Sequence, residues 1–127
     1  MAKKETNYSV AMHFPKNYEK SFDNYKLFSQ KLLNIDPRLT EEPKKLYIGF
    51  KISDKVAAAV RVQKQKLILE LYRVEPADLR DEDNKVTYKN NSLEDFNKHV
   101  SLFYIRTVDD IDYAVDLSMQ VIKKHFT

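Results

Sequence analysis

Four side chains have the types that metal-assisted hydrolysis uses: Asp78, Asp81, Asp83 and His99. Carboxylates and an imidazole can hold a divalent cation and activate a water. Their spacing argues against a dedicated site. A calcium loop needs glycine at its sixth position and glutamate at its twelfth, and no glycine follows any of the three aspartates. His13, His99 and His125 lack the partner three or four residues on that an H-E-x-x-H zinc site requires. A restriction-type nuclease would place a lysine two residues after its strand glutamate, and Glu70-Leu71-Tyr72 has tyrosine there. There is no G-x-S-x-G, and no cysteine to serve as a nucleophile, a disulfide partner or a zinc ligand. Gly49 is the one glycine, which excludes phosphate loops built on two or more. The expectation is therefore a protein that is not an enzyme and that carries no cofactor and no metal.

What remains is a set of cations interleaved with tyrosines. The net charge is +3, and it is unevenly spread. Residues 44–73 hold eight Lys and Arg against two carboxylates, whereas residues 74–98 hold four against seven. Within the basic stretch, Tyr47, Lys51, Arg61 and Tyr72 recur at alternating positions, with Glu70 and Ile68 among them. Tyrosines beside Lys and Arg can form a protein interface, where Tyr and Arg are enriched. They can also stack bases and contact phosphates, with Lys44, Lys45, Lys64 and Lys66 adding charge. A solvated face of mixed sign is the ordinary alternative.

These side chains need elements to hold them. Tyr18, Phe22, Tyr25, Phe28, Leu32 and Ile35 fall at spacings of three and four, the stripe of an amphipathic helix. Asn17 is the expected N-cap, and Pro37 disfavours helical geometry at Asp36. Lys20, Asp23, Lys26, Gln30 and Lys31 take the opposite face. Leu46, Ile48, Phe50 and Ile52 then alternate at period two. Ser53-Asp54-Lys55 has turn composition. A second strand is expected over 56–62 and a third over 67–72, with Leu67, Leu69 and Leu71 on one face. Short connections make this an antiparallel meander with one packed face. Residues 75–99 are the least periodic. Helical turns are expected over 77–80 and 92–96, and a short strand over 86–88.

A last strand is expected over 100–105. Thr107 then caps a helix with Asp109, Asp110 and Asp112 near its N-terminus and Lys123 and Lys124 in its last turn, both favourable to the helix dipole. Its buried stripe is Ile111, Ala114, Val115, Ser118, Val121, Ile122 and His125. The order is α-β-β-β-(loop)-β-α. The expected fold class is α+β: an antiparallel sheet of four to five strands with an N-terminal and a C-terminal helix. One domain over 1–127 accounts for the length, with an irregular segment over 1–16. No apolar stretch follows Lys3 and Lys4 as in a signal peptide, and the longest apolar runs fall far short of the ~20 residues that span a bilayer. A cytoplasmic protein without membrane contact is expected.

The segment Lys45-Leu46-Tyr47-Ile48-Gly49-Phe50-Lys51 resembles the LYIAYK signature of a bacterial domain family of unknown function labelled predicted transport protein. The similarity continues through Leu67-Ile68-Leu69-Glu70-Leu71, Leu79-Arg80-Asp81 and Val108-Asp109-Asp110-Ile111-Asp112-Tyr113-Ala114-Val115. The resemblance implies a module found alone or joined to restriction- and defence-type proteins, with no established catalytic residues. Members carry a Gly- and His-rich segment before the last strand; residues 90–99 here contain no glycine. The leading expectation is a small binding module that uses Tyr47, Lys51, Arg61 and Tyr72 against a protein, a second copy of itself included. The alternative is a nucleic-acid-binding accessory domain using Lys44, Lys45, Lys51, Arg61, Lys64 and Lys66 on phosphates.

Overall fold

Period-two and period-3.6 patterns fold as their spacing requires. The computed structural model describes residues 8–89 and 99–126. After a 3-10 turn at Val10–His13 come α1 (Glu19–Ile35), β1 (Thr40–Pro43), β2 (Ile48–Ile52), β3 (Lys55–Val62), β4 (Leu67–Tyr72), a 3-10 turn at Pro76–Asp78, β5 (Thr87–Tyr88), β6 (Val100–Ile105), a 3-10 turn at Val108–Asp110 and α2 (Ile111–His125). All strand pairs are antiparallel, and the sheet order is β1-β2-β3-β4-β6-β5. The α+β class holds. The sheet has six strands, against the four to five expected.

The extra strand is β1. Its sequence, Thr40-Glu41-Glu42-Pro43, has two charges and a proline and no apolar alternation. It pairs only with β2, at the sheet edge, where proline's missing N–H is tolerated. Glu41 on its inner side accepts hydrogen bonds from the Tyr25 and Ser29 hydroxyls of α1.

The core lies between one face of the sheet and both helices. Ile48, Phe50, Val60, Leu67, Leu69, Leu71, Phe103 and Ile105 from the strands meet Phe28 and Leu32 of α1 and Ile111, Ala114, Leu117 and Val121 of α2. Phe28 packs edge-on to Phe50 with ring centroids 5.7 Å apart. Two members of the expected helix stripe differ: Ile35 is 52% exposed, and His125 is half-buried, its Nε2 3.0 Å from the Arg73 carbonyl.

One of the two expected caps needs correction. Asn17 sits at φ 75°, in the left-handed region that asparagine tolerates, and Tyr18 occupies the N-cap of α1. At the other helix a 3-10 turn intervenes after Thr107. Thr107 is the N-cap of that turn, which leads directly into α2, and the Asp110 carboxylate takes the backbone N–H groups of Arg106 (2.8 Å) and Thr107 (3.1 Å). The turn expected over 77–80 begins earlier, at Pro76, and that over 92–96 lies outside the described residues. Among the described residues, no helix is long and apolar enough to cross a membrane.

Candidate functional site

Alternation along β2, β3, β4 and β6 sends every second side chain away from the helices. Register puts Glu42, Gly49, Ala59, Glu70, Leu102 and Thr87 in one row across this face. Tyr47, Arg61, Ile68 and Tyr104 flank the row on one side, and Lys51, Tyr72, Val100 and Lys89 on the other. Among the described residues no helix covers this face. The structure thus brings Tyr47, Lys51, Arg61 and Tyr72 together on one surface.

Their charges are not free. Glu70, expected to be exposed, is 2% exposed. Its Oε2 lies 2.9 Å from Arg61 Nε and 2.7 Å from Lys89 Nζ, and Tyr72 OH reaches its other oxygen at 3.4 Å. A buried carboxylate must be paired, and two cations with one hydroxyl meet that need. Burial, with the Glu70 charge and Tyr47 nearby, pushes the Tyr72 phenol well above its ordinary range. On the β1 side, Glu42 pairs with Lys51 at 2.8 Å and Lys44 at 3.2 Å. Those two ammonium groups, Lys51 first, hold its carboxyl below the usual range, and Glu42 in turn raises Lys51. Three of the expected phosphate contacts, Lys44, Lys51 and Arg61, are therefore already neutralised within the fold.

The side chains between these pairs are apolar or aromatic. Tyr47, Ile68, Tyr72, Leu102 and Tyr104 are each half-buried. Tyr47 leans over Gly49: a Cβ built on Gly49 would stand 3.3 Å from Tyr47 Cε1. Glycine in a strand is used here for close approach of a ring to the backbone.

Lys44, Lys45, Lys64 and Lys66 fall elsewhere. They lie in the β1–β2 and β3–β4 hairpins, which antiparallel order places at one end of the sheet, together with Arg106 after β6. Lys51 is at the other end. The β1–β2 hairpin closes with Lys44 N–H donating to the Tyr47 carbonyl at 2.7 Å, and its tip exposes Leu46 at 64%.

The hydrolytic residues are not assembled. Asp81 staples its own loop, accepting the backbone N–H groups of Lys85 (2.9 Å) and Val86 (2.8 Å) and the Tyr113 hydroxyl. Burial pushes its carboxyl up, but the bonds from Tyr113, Lys85 and Val86 outweigh this and hold it low. Asp78 accepts from the Glu75 N–H at 2.8 Å. Asp83 Oδ2 stands 4.0 Å from Lys85 Nζ. His99 is buried against Tyr88, to whose hydroxyl it is hydrogen-bonded. Among the described residues no three metal-ligating side chains converge.

One residue that the sequence counts as basic surface is buried instead. Arg73 is 8% exposed and holds a left-handed backbone, φ 62°. It donates to the Val56 carbonyl at 2.8 Å and lies 5.8 Å from the Phe126 ring centroid. Burial lowers its pKa. Its place after the alternating run of β4 is the only hint in the sequence.

Compared with protein-family models, with characterised proteins and with solved structures, the chain matches none, so its function has to be argued from these residues themselves.

Proposed function

We propose that this protein is a non-enzymatic binding module that pairs through the open face of its sheet with a second copy of the chain. The observation that carries the reading is the makeup of that face. Half-buried Tyr47, Ile68, Tyr72, Leu102 and Tyr104 stand between ion pairs that the fold has already closed around Glu70 and Glu42. An interface core is depleted of free charge and rich in tyrosine and arginine. A phosphate-binding surface needs cations without internal partners, and Lys51 and Arg61 have such partners. A two-fold pairing needs a patch complementary to itself, and apolar and aromatic side chains between internally closed ion pairs meet that need.

Sedimentation velocity over a wide concentration range tests this. Wild type should pass from monomer to dimer, and Ile68→Lys or Leu102→Lys should remain monomeric with an unchanged melting temperature. A wild type that stays monomeric throughout would remove the self-pairing reading.

A further inference from the structure

Four cations that make no ion pair among the described residues gather at the hairpin end. Lys20, Gln63, Lys64, Gln65, Lys66 and Arg106 line an open groove of about 510 Å³. Among the described residues no carboxylate lines it, and none of its four cations makes an ion pair. The nearest acids in sequence are Glu19, exposed on α1, and Asp109, exposed in the 3-10 turn, followed by Asp110, whose Oδ2 is taken by the backbone N–H groups of Arg106 and Thr107. The groove is also held in shape. The Ser21 hydroxyl of α1 is within hydrogen-bond distance of the carbonyls of Gln63 (2.5 Å) and Lys64 (3.0 Å), which ties the hairpin to the helix. Gln63 N–H donates to the Lys66 carbonyl at 2.9 Å. Lys66 Nζ and the Arg106 guanidinium stand 4.7 and 5.1 Å from the Tyr104 ring centroid, so one ring positions two charges.

We infer that this end of the sheet binds the phosphate backbone of a nucleic acid. The inference shares Tyr104 with the self-pairing face, but its cations are other side chains and it does not rest on that reading. Four cations converging without a carboxylate repel one another, and an anionic ligand relieves this. The length fits a tracked chain rather than a lone ion. Beyond the groove itself, Lys45 of the β1–β2 hairpin stands at the same end, and from there to Arg106 after β6 is between three and four strand spacings, or about 17 Å. At ~3.4 Å of rise per phosphate along one strand of a duplex, that spans roughly five phosphates. Of the eight cations over residues 44–73, Lys44, Lys45, Lys64 and Lys66 stand at this rim.

The test is fluorescence anisotropy with labelled single- and double-stranded oligonucleotides at two salt concentrations. Four phosphate contacts predict a fall in affinity of roughly 50- to 150-fold between about 50 and 200 mM salt. Lys64→Gln/Lys66→Gln removes two of the four, so the fall should shrink to roughly tenfold. Lys55→Gln/Lys124→Gln, the same charge change at the far end, should leave the fall near its wild-type value. Circular dichroism melts of both variants check that the fold is intact. Three outcomes overturn the inference: no binding at concentrations of about 10⁻⁴ M, equal loss in the two variants, or polyglutamate competing as well as the oligonucleotide, which would mark a charge sink without preference for phosphate.

Discussion

Arg61 and Glu70 are diagonal neighbours across the β3–β4 pair, and their side chains meet at 2.9 Å on the face that the helices leave open. Lys89 reaches the same carboxylate oxygen from beyond β6. Either cation alone can satisfy Glu70, and both are more than a third exposed. Arg61→Met and Lys89→Met should therefore each cost about 1 kcal/mol or less. The double variant leaves a buried carboxylate with only the Tyr72 hydroxyl, and should cost about 3 kcal/mol or more. Urea unfolding of the four proteins measures the non-additivity. Simple addition of the two single effects would mean that Glu70 takes up water instead.

Alkaline pH should unfold the protein through Tyr25 and Tyr72. Burial, then the bond to Glu41, raises the Tyr25 phenol far above its ordinary range, and burial does the same at Tyr72. A raised folded pKa means that the native state keeps a proton the unfolded chain loses above about pH 10. Stability is full below that pH and falls as pH rises past it. Denaturant midpoints between neutral and strongly alkaline pH should drop, and drop less in Tyr25→Phe once its own neutral-pH loss is subtracted.

On the acid side the sign reverses. Arg38 holds Asp36 low, Lys51 and Lys44 hold Glu42 low, and the loop bonds hold Asp81 low against its burial. Depressed carboxyls contribute stability that is present above their unfolded pKa values, about 4, and is lost as pH falls through the folded ones. An acid titration followed by circular dichroism should show this loss. Asp81→Asn should flatten it and loosen the loop from Tyr113, seen as faster amide exchange at Lys85 and Val86.

Gly49→Ala probes the face without touching the core. The added methyl meets a half-exposed Tyr47 ring that has room to swing. Strand glycine costs roughly 0.5–1 kcal/mol relative to alanine, so stability should hold or rise slightly while Tyr47 moves. Self-association should weaken at unchanged melting temperature; a large drop in melting temperature would show that the ring cannot move.

The elements with strong periodicity were legible in the sequence. The stripe of Tyr25, Phe28 and Leu32, the alternation of Leu67, Leu69 and Leu71, and residues 100–105 folded as read, because burial of one face dominates their free energy. β1 was not legible, since its stability comes from pairing with β2 and from the hydroxyls of Tyr25 and Ser29. The open face was half legible. Alternation gave its members, but the ion pairs around Glu70 and Glu42 depend on register, which no single strand reveals. Nor could spacing bring Lys20 and Arg106, 86 positions apart in the chain, to one groove with Lys64 and Lys66.

The sheet ends in two poor edges: β1 has four residues and closes with Pro43, and β5 has two. Such edges offer an incoming strand little to hydrogen-bond. A partner copy is thereby denied the route that continues a sheet from chain to chain, and with it the open-ended growth of a fibre. Contact across the flat faces has no such continuation, because once two faces meet, neither copy has another to offer. The brevity of β1 and β5 would thus limit the proposed assembly to a pair.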